Sequence, residues 1–471
     1  MAVGFHTNSD VLRQSQTDAL ALIRKESLDI YNRVHSIAED VGFVDHVCEA
    51  YPELPVVPNL RCGAWYVSPS TASRYAAYFK STDGHYNNWS FNLRRPNIHL
   101  LPALVQHGGL ILVDSTRAGK RMPDALSKTV PIWCAVVNRA IKTVFSRGPE
   151  WDGKLYTPPG VVSPQEHAHI ERRIEEWAES LANSSYTIPD LPYPLRPMWI
   201  TPATSVFPTL PPLDERGFLA VVCISASKQV AEGVERRSSG YAYVQGSGDD
   251  HELWGMGLTP QIFWEEKDNI LDTTRSDLPD LVSELVSSYK ARRQDDWRAH
   301  CTPLSMTSGR LLVTSTAHLP YVPPATYDLK SLAHVIITDN IEEWQIPKER
   351  MDEVSVVEMK QGKKGQAQFL HEVLPRSLSF IRTQLERERD VCVSCADGRD
   401  ASVGVVLAAL QTFFDEDGRY VGEDVKPRSV NKSTLATRLQ WIISDRPEAN
   451  PSRVTLKRVN EFLLTSPDLR R

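Results

Sequence analysis

The sequence contains no run of about 18 or more apolar residues, the length that a membrane-spanning helix requires. Its first residues lack the basic and apolar segments of a secretory signal peptide. Hydrophobic residues make up 41% of the chain and charged residues 24%, which is the composition of a globular protein rather than a disordered one. We therefore expect a cytoplasmic protein that has no membrane contact.

Cysteines are few and scattered. Their number, seven, is odd, which argues against the disulfide framework of a secreted domain and suits a reducing compartment. Cys392 and Cys395 form one Cys-x-x-Cys pair, but neither a second pair nor histidines follow at the spacing of a zinc site. A structural zinc ion is therefore not expected. With 471 residues, the chain exceeds one ordinary core, so we expect two or three domains.

Positive charge is not in excess either, since 53 lysines and arginines face 59 acidic residues and the formal net charge is −6. That balance excludes a chain that coats nucleic acid along its whole surface, but a local basic face can still bind RNA. Two groups of cations could form such a face, although single exposed cations are usually only solvated. They are Arg117, Lys120, Arg121 and Lys128, and, near the C-terminus, Lys432, Arg438, Arg453, Lys457 and Arg458.

Short apolar runs alternate with amphipathic helical stretches, which predicts α/β domains with largely parallel sheets. Two helices are predicted between residues 10 and 47, and the proline-rich residues 189–212 are expected to lack regular structure. Strands are predicted at residues 75–79, 110–113, 219–222 and 241–244, each followed by a polar loop. Because loops at the carboxyl ends of parallel strands converge, these four loops predict one site.

A proline-containing break at residues 318–326 has the composition of a linker. It separates a first domain of residues 1–317, with a helical start and an α/β core, from a second. The pattern of strands and helices restarts after the break. A compact α/β domain with a helical tail is therefore predicted for residues 327–471.

Three polar loops of the first domain carry residues suited to phosphate chemistry. The His85 loop, KSTDGH at residues 80–85, supplies the cation Lys80 and two groups that can deprotonate a ribose hydroxyl, Asp83 and His85. The Asp114 loop, DSTRAGKR at residues 114–121, offers three cations beside a glycine to phosphate or pyrophosphate oxygens. The acidic loop, QGSGDDHE at residues 245–252, crowds two aspartates, a histidine and a glutamate, which suits Mg²⁺ with a polyphosphate or else a solvated turn.

The Cys395 loop, CADGRDAS at residues 395–402, follows a buried strand and precedes a helix, as phosphate-binding loops do. It resembles the dual-specificity and tyrosine phosphatases, whose loop reads cysteine, five residues, arginine, then serine or threonine. With Cys395 as nucleophile, Ser402 takes the hydroxyl position, but Ala401 stands where the arginine belongs; a register from Cys392 lacks the arginine too. Without that guanidinium the developing phosphoryl charge loses its main stabiliser. The domain is therefore interpreted as a phosphatase-like scaffold that binds phosphate without hydrolysing it.

Four segments together resemble one family, the initiator-tRNA 2′-O-ribosylphosphate transferases. They are YFKSTDGHYNNWSFNLR at residues 78–94, DSTRAGKRMPD at 114–124, YVQGSGDDHE at 243–252 and CADGRD at 395–400, in the family's order. The resemblance implies a family-specific N-terminal α/β domain followed by a C-terminal dual-specificity-phosphatase-like α/β domain. It also implies a pentosyltransferase that moves 5-phosphoribose from phosphoribosyl pyrophosphate (PRPP) to the 2′-hydroxyl of a T-stem adenosine. The acceptor is initiator tRNA, which the added phosphate keeps out of elongation.

The resemblance also implies the substrates, whereas Mg²⁺ and the roles of the loops are assigned from the chemistry of their residues. PRPP is then the co-substrate, Mg²⁺ the cofactor and initiator tRNA the partner, and no protein partner is inferred. Catalysis is assigned to Asp83, His85, Asp249, Asp250 and His251, and Mg²⁺ to Asp249, Asp250 and Glu252. The binding of phosphate oxygens is assigned to Lys80, Asp114, Ser115, Arg117, Gly119, Lys120, Arg121, Lys228, Cys395, Ala396, Asp397, Gly398, Arg399, Asp400 and Ser402. The Cys395 loop is predicted to hold either the PRPP 5-phosphate or a tRNA phosphate.

The acidic loop departs from ordinary phosphoribosyltransferases, in which two acids are followed by residues like Thr-Gly-Gly-Thr. Here His251 and Glu252 follow the two aspartates, so the resemblance implies the use of PRPP without its binding mode. Two other functions remain open. One is an active cysteine phosphatase, which Ala401 opposes. The other is a non-catalytic tRNA-binding protein on a phosphatase-like scaffold, which leaves the crowded acids without a use.

Overall fold

Two largely parallel β-sheets, one in each of two compact units, organise the chain. A computed structural model describes residues 20–60, 62–73, 75, 77–116, 119–291, 300–319, 332–344, 346–422 and 430–464. The first unit comprises Met1–Asn92, Asn97–Asn183 and Ile188–Ala291, and the second comprises Leu93–Pro96, Ser184–Thr187 and Arg292–Arg471. Two short segments from the N-terminal part of the sequence thus belong to the second unit.

The first unit alternates helices and strands. Its elements are α1 (Ile30–Ala50), β1 (Val56–Pro58), α2 (Leu101–His107), β2 (Gly109–Asp114), α3 (Val130–Val144), α4 (Pro164–Ala182), β3 (Leu195–Ile200), α5 (Leu213–Arg216), β4 (Leu219–Ser225), β5 (Val234–Arg236), β6 (Ala242–Val244), α6 (Pro260–Glu265), α7 (Lys267–Asp272) and α8 (Leu278–Ala291). Strands β1–β4 form a parallel sheet in the order β1-β2-β4-β3. Every residue of β2 and β4 is buried, as expected of the central strands of a parallel sheet.

Two of the four predicted strands differ from the prediction. The runs at 110–113 and 219–222 lie in β2 and β4, as predicted. Among residues 75–79, the structure describes a single bridge from Ala77 to Asn59 instead of a strand. Residues 241–244 contribute β6, which pairs antiparallel with β5 rather than joining the parallel sheet. The prediction that all four loops follow strands of one parallel sheet is therefore wrong for the His85 loop and the acidic loop.

Two further sequence predictions concern α1 and the proline-rich stretch. Of the two helices predicted between residues 10 and 47, α1 is confirmed and helical residues 20–28 precede it, whereas residues 10–19 lie outside the described residues. The proline-rich stretch contains β3, so the expectation of irregular structure is wrong there. Pro197 is tolerated because β3 is an edge strand, with a partner strand on one side only.

The second unit carries its own sheet and helical tail. Its elements are β7 (Thr302–Pro303), β8 (Leu311–Ser315), β9 (Leu332–Thr338), β10 (Val354–Glu358), α9 (Gly362–Gln368), α10 (Leu374–Glu386), β11 (Asp390–Cys395), α11 (Ala401–Phe413), α12 (Lys432–Asp445) and α13 (Arg453–Leu464). The strand order is β10-β9-β11-β8-β7, and all neighbours are parallel except the two-residue edge strand β7. Helix α11 is buried around most of its circumference because α10, α12 and α13 pack against it.

The predicted linker at residues 318–326 lies outside the described residues except for its first two positions. Strands β7 and β8, which precede it, pair within the second sheet. The division of the chain at this linker stays a prediction. In the described part of the chain, no helix is both long enough and apolar enough to cross a membrane.

Candidate active site

The carboxyl ends of β2 and β4 lie side by side in the first sheet, since Asp114 pairs in register with Ser225. The Asp114 loop therefore begins beside the residues that follow β4. Ser115 and Ser227 meet across this junction, with 2.6 Å between their hydroxyl oxygens. Strand ends of this kind are where open α/β sheets bind ligands. Arg117, one of the predicted phosphate ligands, lies outside the described residues.

Asp114 is fully buried, and three donors hold its carboxylate. Asn59 donates from its side-chain amide at 2.8 Å, Cys62 from its thiol at 2.9 Å, and Ser115 from its backbone N–H at 2.9 Å. Burial and, next, the charge of Asp114 raise the pKa of the Cys62 thiol, so the thiol stays protonated and can donate. These bonds make Asp114 an anchor for the start of its loop.

A second buried carboxyl group, that of Asp40 in α1, lies behind the two serines. The Ser227 hydroxyl donates to Asp40 Oδ2 at 2.6 Å, and the Tyr243 hydroxyl donates to Oδ1 at 2.7 Å. Complete burial raises the pKa of Asp40 to about 8, although both donors act to lower it. The carboxyl group is therefore mostly protonated at neutral pH. Hydrogen bonds connect Asp40, Ser227 and Ser115 in one continuous path to the Asp114 loop.

Sequence reasoning missed Asp40, although the sequence holds a signal for it. Asn32, Ser36 and Asp40 follow one another at intervals of four residues, so they form a polar stripe on one face of α1. All three side chains are buried. Asn32 and Ser36 accept hydrogen bonds from the backbone N–H groups of Ala242 and Val244, at 3.0 and 2.8 Å. The stripe therefore binds the edge of β6 and ends at the carboxyl group.

The acidic loop is in contact with the Asp114 loop. The Gln245 side-chain amide donates to the backbone carbonyl of Lys120 at 2.8 Å, and the Gly248 backbone N–H donates to the Tyr66 hydroxyl at 2.8 Å. A β-carbon at Gly248 would lie 3.0 Å from the Trp65 side chain, so this close approach favours glycine. Two of the predicted loops therefore meet at one place.

The two aspartates of the acidic loop differ in burial. Asp249 is buried, whereas Asp250 is exposed and adopts a left-handed conformation with φ of 49°. The Asp250 backbone N–H donates to the Asp249 carboxylate at 3.1 Å. Arg33 lies nearby: burial lowers its pKa, and the charges of Tyr66, Asp249 and Asp250 act to raise it. Arg33 therefore places one positive charge beside the two aspartates of the acidic loop.

His251 and Glu252 complete the acidic loop near its surface. The His251 ring packs on Trp65 with 5.7 Å between ring centroids, and its Nδ1 lies 3.9 Å from Glu252 Oε2. Among the described residues, no three histidine, cysteine, aspartate or glutamate side chains are grouped to hold a metal ion. The predicted set of three carboxylates is thus not assembled in advance. Mg²⁺ commonly binds through one or two carboxylates with water and phosphate oxygens, and Asp249 with Asp250 fits that pattern.

The His85 loop joins this region through Asp124. The His85 Nε2 atom lies 3.8 Å from Asp124 Oδ2, the Lys128 Nζ atom lies 2.7 Å from Oδ1, and Lys120 pairs with the same carboxylate. Burial alone would raise the pKa of Asp124, but hydrogen bonds from the two lysines hold this pKa below its usual value. Sequence reasoning gave Asp124 no role. Its carboxylate neutralises Lys120, a residue predicted to bind phosphate.

Lys80 and Asp83 belong to a short turn that lies close to the chain before α3. The Lys80 backbone carbonyl accepts a hydrogen bond from the Thr129 hydroxyl at 2.9 Å. A β-carbon at Gly84 would lie 2.7 Å from the Asp124 backbone oxygen, so the turn could not approach as closely with a larger residue. The structure therefore links the His85 loop to the Asp114 loop through Asp124, which lies close to His85 and pairs with Lys120.

The remaining predicted phosphate ligands of the first unit lie at the surface. Arg121 is exposed, and Gly119 has a φ of 87°. The Lys228 side chain is half exposed, and its Nζ atom lies 3.9 Å from the Glu235 carboxylate. Exposed cations beside a strand-end site are available to an anionic substrate.

In the second unit, the Cys395 loop joins β11 to α11, as predicted. Gly398 has a φ of 65°, and a β-carbon there would lie 2.7 Å from the Thr314 carbonyl oxygen. Arg446, which sequence reasoning missed, donates from Nε to the Gly398 carbonyl at 2.9 Å, and the Ser315 hydroxyl donates to the Ala396 carbonyl at 2.6 Å. Side chains from outside the loop therefore fix its conformation.

The Cys395 thiol does not have the properties of a phosphatase nucleophile. Its sulfur lies 3.1 Å from the Ser402 hydroxyl and 3.3 Å from Asp397 Oδ1. Burial raises the pKa of Cys395; the Ser402 hydroxyl acts against this, and the charge of Asp397 adds to it. Cysteine nucleophiles instead have lowered pKa values. The raised pKa and Ala401 both argue against thiol-dependent hydrolysis.

Two acidic side chains of the Cys395 loop accept hydrogen bonds, one from within the loop and the other from the start of α13. Asp397 Oδ1 accepts from the Arg399 backbone N–H at 2.9 Å. Asp400 Oδ1 accepts from the Ser452 backbone N–H at 2.8 Å and from the Thr455 hydroxyl at 2.5 Å. A loop that carries two carboxylates is a poor partner for a phosphate dianion.

A cleft of about 700 Å³ opens beside this loop. The charged side chains that line it are Asp339, Glu343, Lys360, Asp397, Asp400 and Arg458. Four acidic and two basic side chains give the cleft a net negative charge, which disfavours an anionic ligand. The predicted phosphate role of the Cys395 loop stays a prediction, and the charge of its surroundings weighs against it.

Family models match both units in chain order. The model described as the Rit1 N-terminal domain matches residues 23–287, which is more than half of the chain. The model described as the Rit1 DUSP-like domain matches residues 353–463. The dual-specificity-phosphatase-like domain that the Cys395 loop predicted is therefore confirmed.

Two related proteins match nearly the whole chain. The tRNA A64-2′-O-ribosylphosphate transferase of Saccharomyces cerevisiae is 33% identical over 488 residues, which cover 94% of this chain and 93% of that protein. An uncharacterized protein of Schizosaccharomyces pombe is 32% identical over 463 residues, with 95% and 97% covered. A solved structure, the human tyrosine phosphatase-like serine/threonine/tyrosine-interacting protein, is 15% identical and covers 32% of this chain and 89% of its own, with a TM-score of 0.23. As the four sequence segments predicted, the chain belongs to the Rit1 family.

Proposed function

We propose that the protein transfers 5-phosphoribose from PRPP to the 2′-hydroxyl of the T-stem adenosine at position 64 of initiator tRNA, with release of pyrophosphate. The observation that carries this proposal is the 33% identity, over 94% of the chain, to the yeast protein named for ribosylphosphate transfer to A64. Such a pentosyltransferase would keep initiator tRNA out of elongation, because the added phosphate obstructs recognition by the elongation machinery.

The reaction needs a proton acceptor for the 2′-hydroxyl, positive charge around the pyrophosphate and a pocket for the 5-phosphate. We place these functions at the carboxyl ends of β2 and β4. Three observations support that placement: the contact between the acidic loop and the Asp114 loop, the approach of the His85 loop, and the exposed cations Arg121 and Lys228. Loops that converge at strand ends of a parallel sheet commonly form ligand sites.

We assign the role of accepting the proton of the 2′-hydroxyl to one of five residues, which are Asp83, His85, Asp249, Asp250 and His251. Among them, His85 has the geometry that suits a base: its ring is half exposed and lies 3.8 Å from the Asp124 carboxylate. A carboxylate beside an imidazole can hold the ring in the orientation that proton transfer requires. We therefore favour His85 as the general base.

Mg²⁺ would be held by Asp249 and Asp250 together with oxygens of PRPP. When bound, the ion supplies positive charge to the pyrophosphate leaving group. The buried Asp249 is fixed by the Asp250 backbone N–H, and the exposed Asp250 can reach a ligand in solvent. Because Lys120 is neutralised by Asp124 and Lys228 lies 3.9 Å from the Glu235 carboxylate, Arg121 is the better candidate for the 5-phosphate.

Incubation with ribose-labelled PRPP, Mg²⁺ and initiator tRNA is expected to label the tRNA at adenosine 64. A matched tRNA that carries 2′-deoxyadenosine at that position should stay unlabelled, because the acceptor oxygen is missing. Nuclease mapping of the product identifies the modified nucleotide. If folded protein binds the tRNA and transfers no label, the alternative of a non-catalytic tRNA-binding protein replaces this proposal.

Cys395→Ser is expected to leave the transfer rate within about twofold of the parent's, because a buried, protonated thiol takes no part in the reaction. The parent should also release no more phosphate from an aryl phosphate than the variant does. Cys48→Ser, at a half-buried cysteine of α1, is the matched control. Aryl-phosphate hydrolysis that depends on the Cys395 thiol would support the rival function, a cysteine phosphatase.

A further inference from the structure

A groove of about 480 Å³ lies in the second unit, between the start of α12 and one face of α13. We call it the basic groove. Its lining residues are Arg94, Asn431, Lys432, Arg453, Leu456, Lys457, Asn460 and Leu464. Four of these eight residues are cations and none is acidic. Such a one-signed concave surface concentrates an anionic partner.

Helical spacing explains why α13 presents this face. Arg453, Lys457, Asn460 and Leu464 recur at intervals of three or four residues, so they lie along one side of the helix. Lys432 is the first residue of α12. Arg94 comes from the short segment Leu93–Pro96 and donates to the Pro451 carbonyl at 3.2 Å.

Not every cation of the helical tail belongs to the basic groove. Arg438 is buried, donates to the Phe414 carbonyl at 3.0 Å and lies over the Trp441 ring. Arg458 pairs with Glu461 at 2.7 Å and lines the acidic cleft instead. Of the five tail cations that the sequence suggested for RNA binding, the structure thus gathers three, Lys432, Arg453 and Lys457, and adds Arg94.

We propose that the basic groove binds the sugar-phosphate backbone of the tRNA substrate, an inference that rests on the proposed function. The charge complementarity is with phosphate, and two asparagine amides in the lining are donors of the type that contact RNA phosphates and ribose. Six of the eight lining residues are polar or charged, and they supply hydrogen-bond donors for a sugar-phosphate backbone. The second unit then serves as a tRNA-binding domain through this surface rather than through the Cys395 loop.

The test compares two double charge reversals in the same unit. Arg453→Glu with Lys457→Glu changes two exposed residues of the groove, and Lys363→Glu with Lys364→Glu changes two exposed residues of α9 outside it. Filter binding of initiator tRNA is measured over a series of salt concentrations. The groove variant should bind more weakly, and the slope of log affinity against log salt should fall by about one unit for each lost phosphate contact. The α9 variant should keep a slope close to the parent's.

Steady-state kinetics give a second readout. The groove variant should show a raised KM for tRNA and an unchanged KM for PRPP. Lys432→Gln, on the other helix, should reproduce the effect in smaller measure, which keeps the test valid if the double reversal unfolds the domain. Circular dichroism melting of every variant identifies such unfolding.

Three outcomes would overturn the proposal. They are parental tRNA affinity and slope in the folded groove variants, an equal loss in the α9 variant, and weakened binding to anionic lipid vesicles with tRNA binding intact. The proposed function fails separately: if the parent transfers no phosphoribose but the groove variants still lose tRNA affinity, the RNA-binding surface stands without the reaction.

Discussion

Asp249→Asn is expected to lower the rate of phosphoribose transfer by about a hundredfold to a thousandfold, the usual effect of removing one electrostatic stabiliser from an active site. The substitution keeps an oxygen that can accept the hydrogen bond observed from the Asp250 backbone N–H at 3.1 Å. The acidic loop should therefore keep its conformation while it loses a negative charge. Because the proposed contacts of Asp249 are with Mg²⁺ and PRPP rather than with tRNA, tRNA affinity should stay at the parental value.

Transfer rates at saturating PRPP and filter binding of tRNA separate these two effects. Asp272→Asn, which removes an exposed aspartate at the end of α7, is the matched control and should transfer at the parental rate. An Asp249→Asn protein that also transfers at the parental rate would falsify the role given to this carboxylate. Loss of tRNA binding in that variant would instead assign the acidic loop to RNA recognition.

The second large effect concerns stability. Asp40 is expected to stabilise the parent less as the pH rises from about 4 to about 8, and Asp40→Asn should remove that contribution to the pH dependence. Burial raises the pKa of Asp40 to about 8 in the folded state, whereas an unfolded chain titrates near the ordinary value of about 3.9. The folded state thus binds this proton more tightly. The stabilisation by the Asp40 proton is therefore complete below about pH 4, and it is lost as the pH rises through about 8.

Because one pKa unit corresponds to about 1.4 kcal/mol, the contribution of Asp40 amounts to several kcal/mol. Urea-unfolding midpoints of parent and variant, measured from about pH 5 to about pH 9, report the difference. Equal pH dependence of the two midpoints in this range would contradict the burial of a protonated Asp40.

Asp152→Asn is a control for which we expect the opposite pH dependence of stability. Burial alone would raise the pKa of Asp152, but hydrogen bonds from the Tyr156 hydroxyl, the Lys154 backbone and Arg196 hold it below the ordinary value. Its stabilising contribution is therefore present above the ordinary pKa and is lost as the pH falls below it. The Asp152→Asn variant should differ from the parent at neutral pH by a constant amount, and the difference should shrink only in acid.

Strands β2, β4 and β11 could be predicted from the sequence because a buried strand is a run of apolar residues that are neighbours in the chain. The loops that follow these strands were located for the same reason. Ala401 already argued against phosphatase chemistry, since the position of an arginine within a short motif does not depend on the rest of the fold. The four segments that indicated the family are likewise local.

Strand partners could not be predicted in the same way. Residues 241–244 have the composition of a strand, but whether they join the parallel sheet or pair with β5 depends on what packs beside them. Residues 75–79 have a similar composition, and those that the structure describes contribute a bridge at Ala77 instead of a strand. Strand propensity measures how well a residue fits a pleated surface, and it does not choose the partner.

The sequence by itself determined the family and the α/β fold class, and it located the loops to which we assign the chemistry. Only the tertiary structure decided which polar side chains act together, because that depends on residues far apart in the chain. Asp40 and Ser227 are 187 positions apart, and the raised pKa of Asp40 comes from burial that no local pattern reveals. Lys457 and Arg458 are adjacent in sequence, yet folding directs the first into the basic groove and the second toward Glu461, since successive helical residues face different directions.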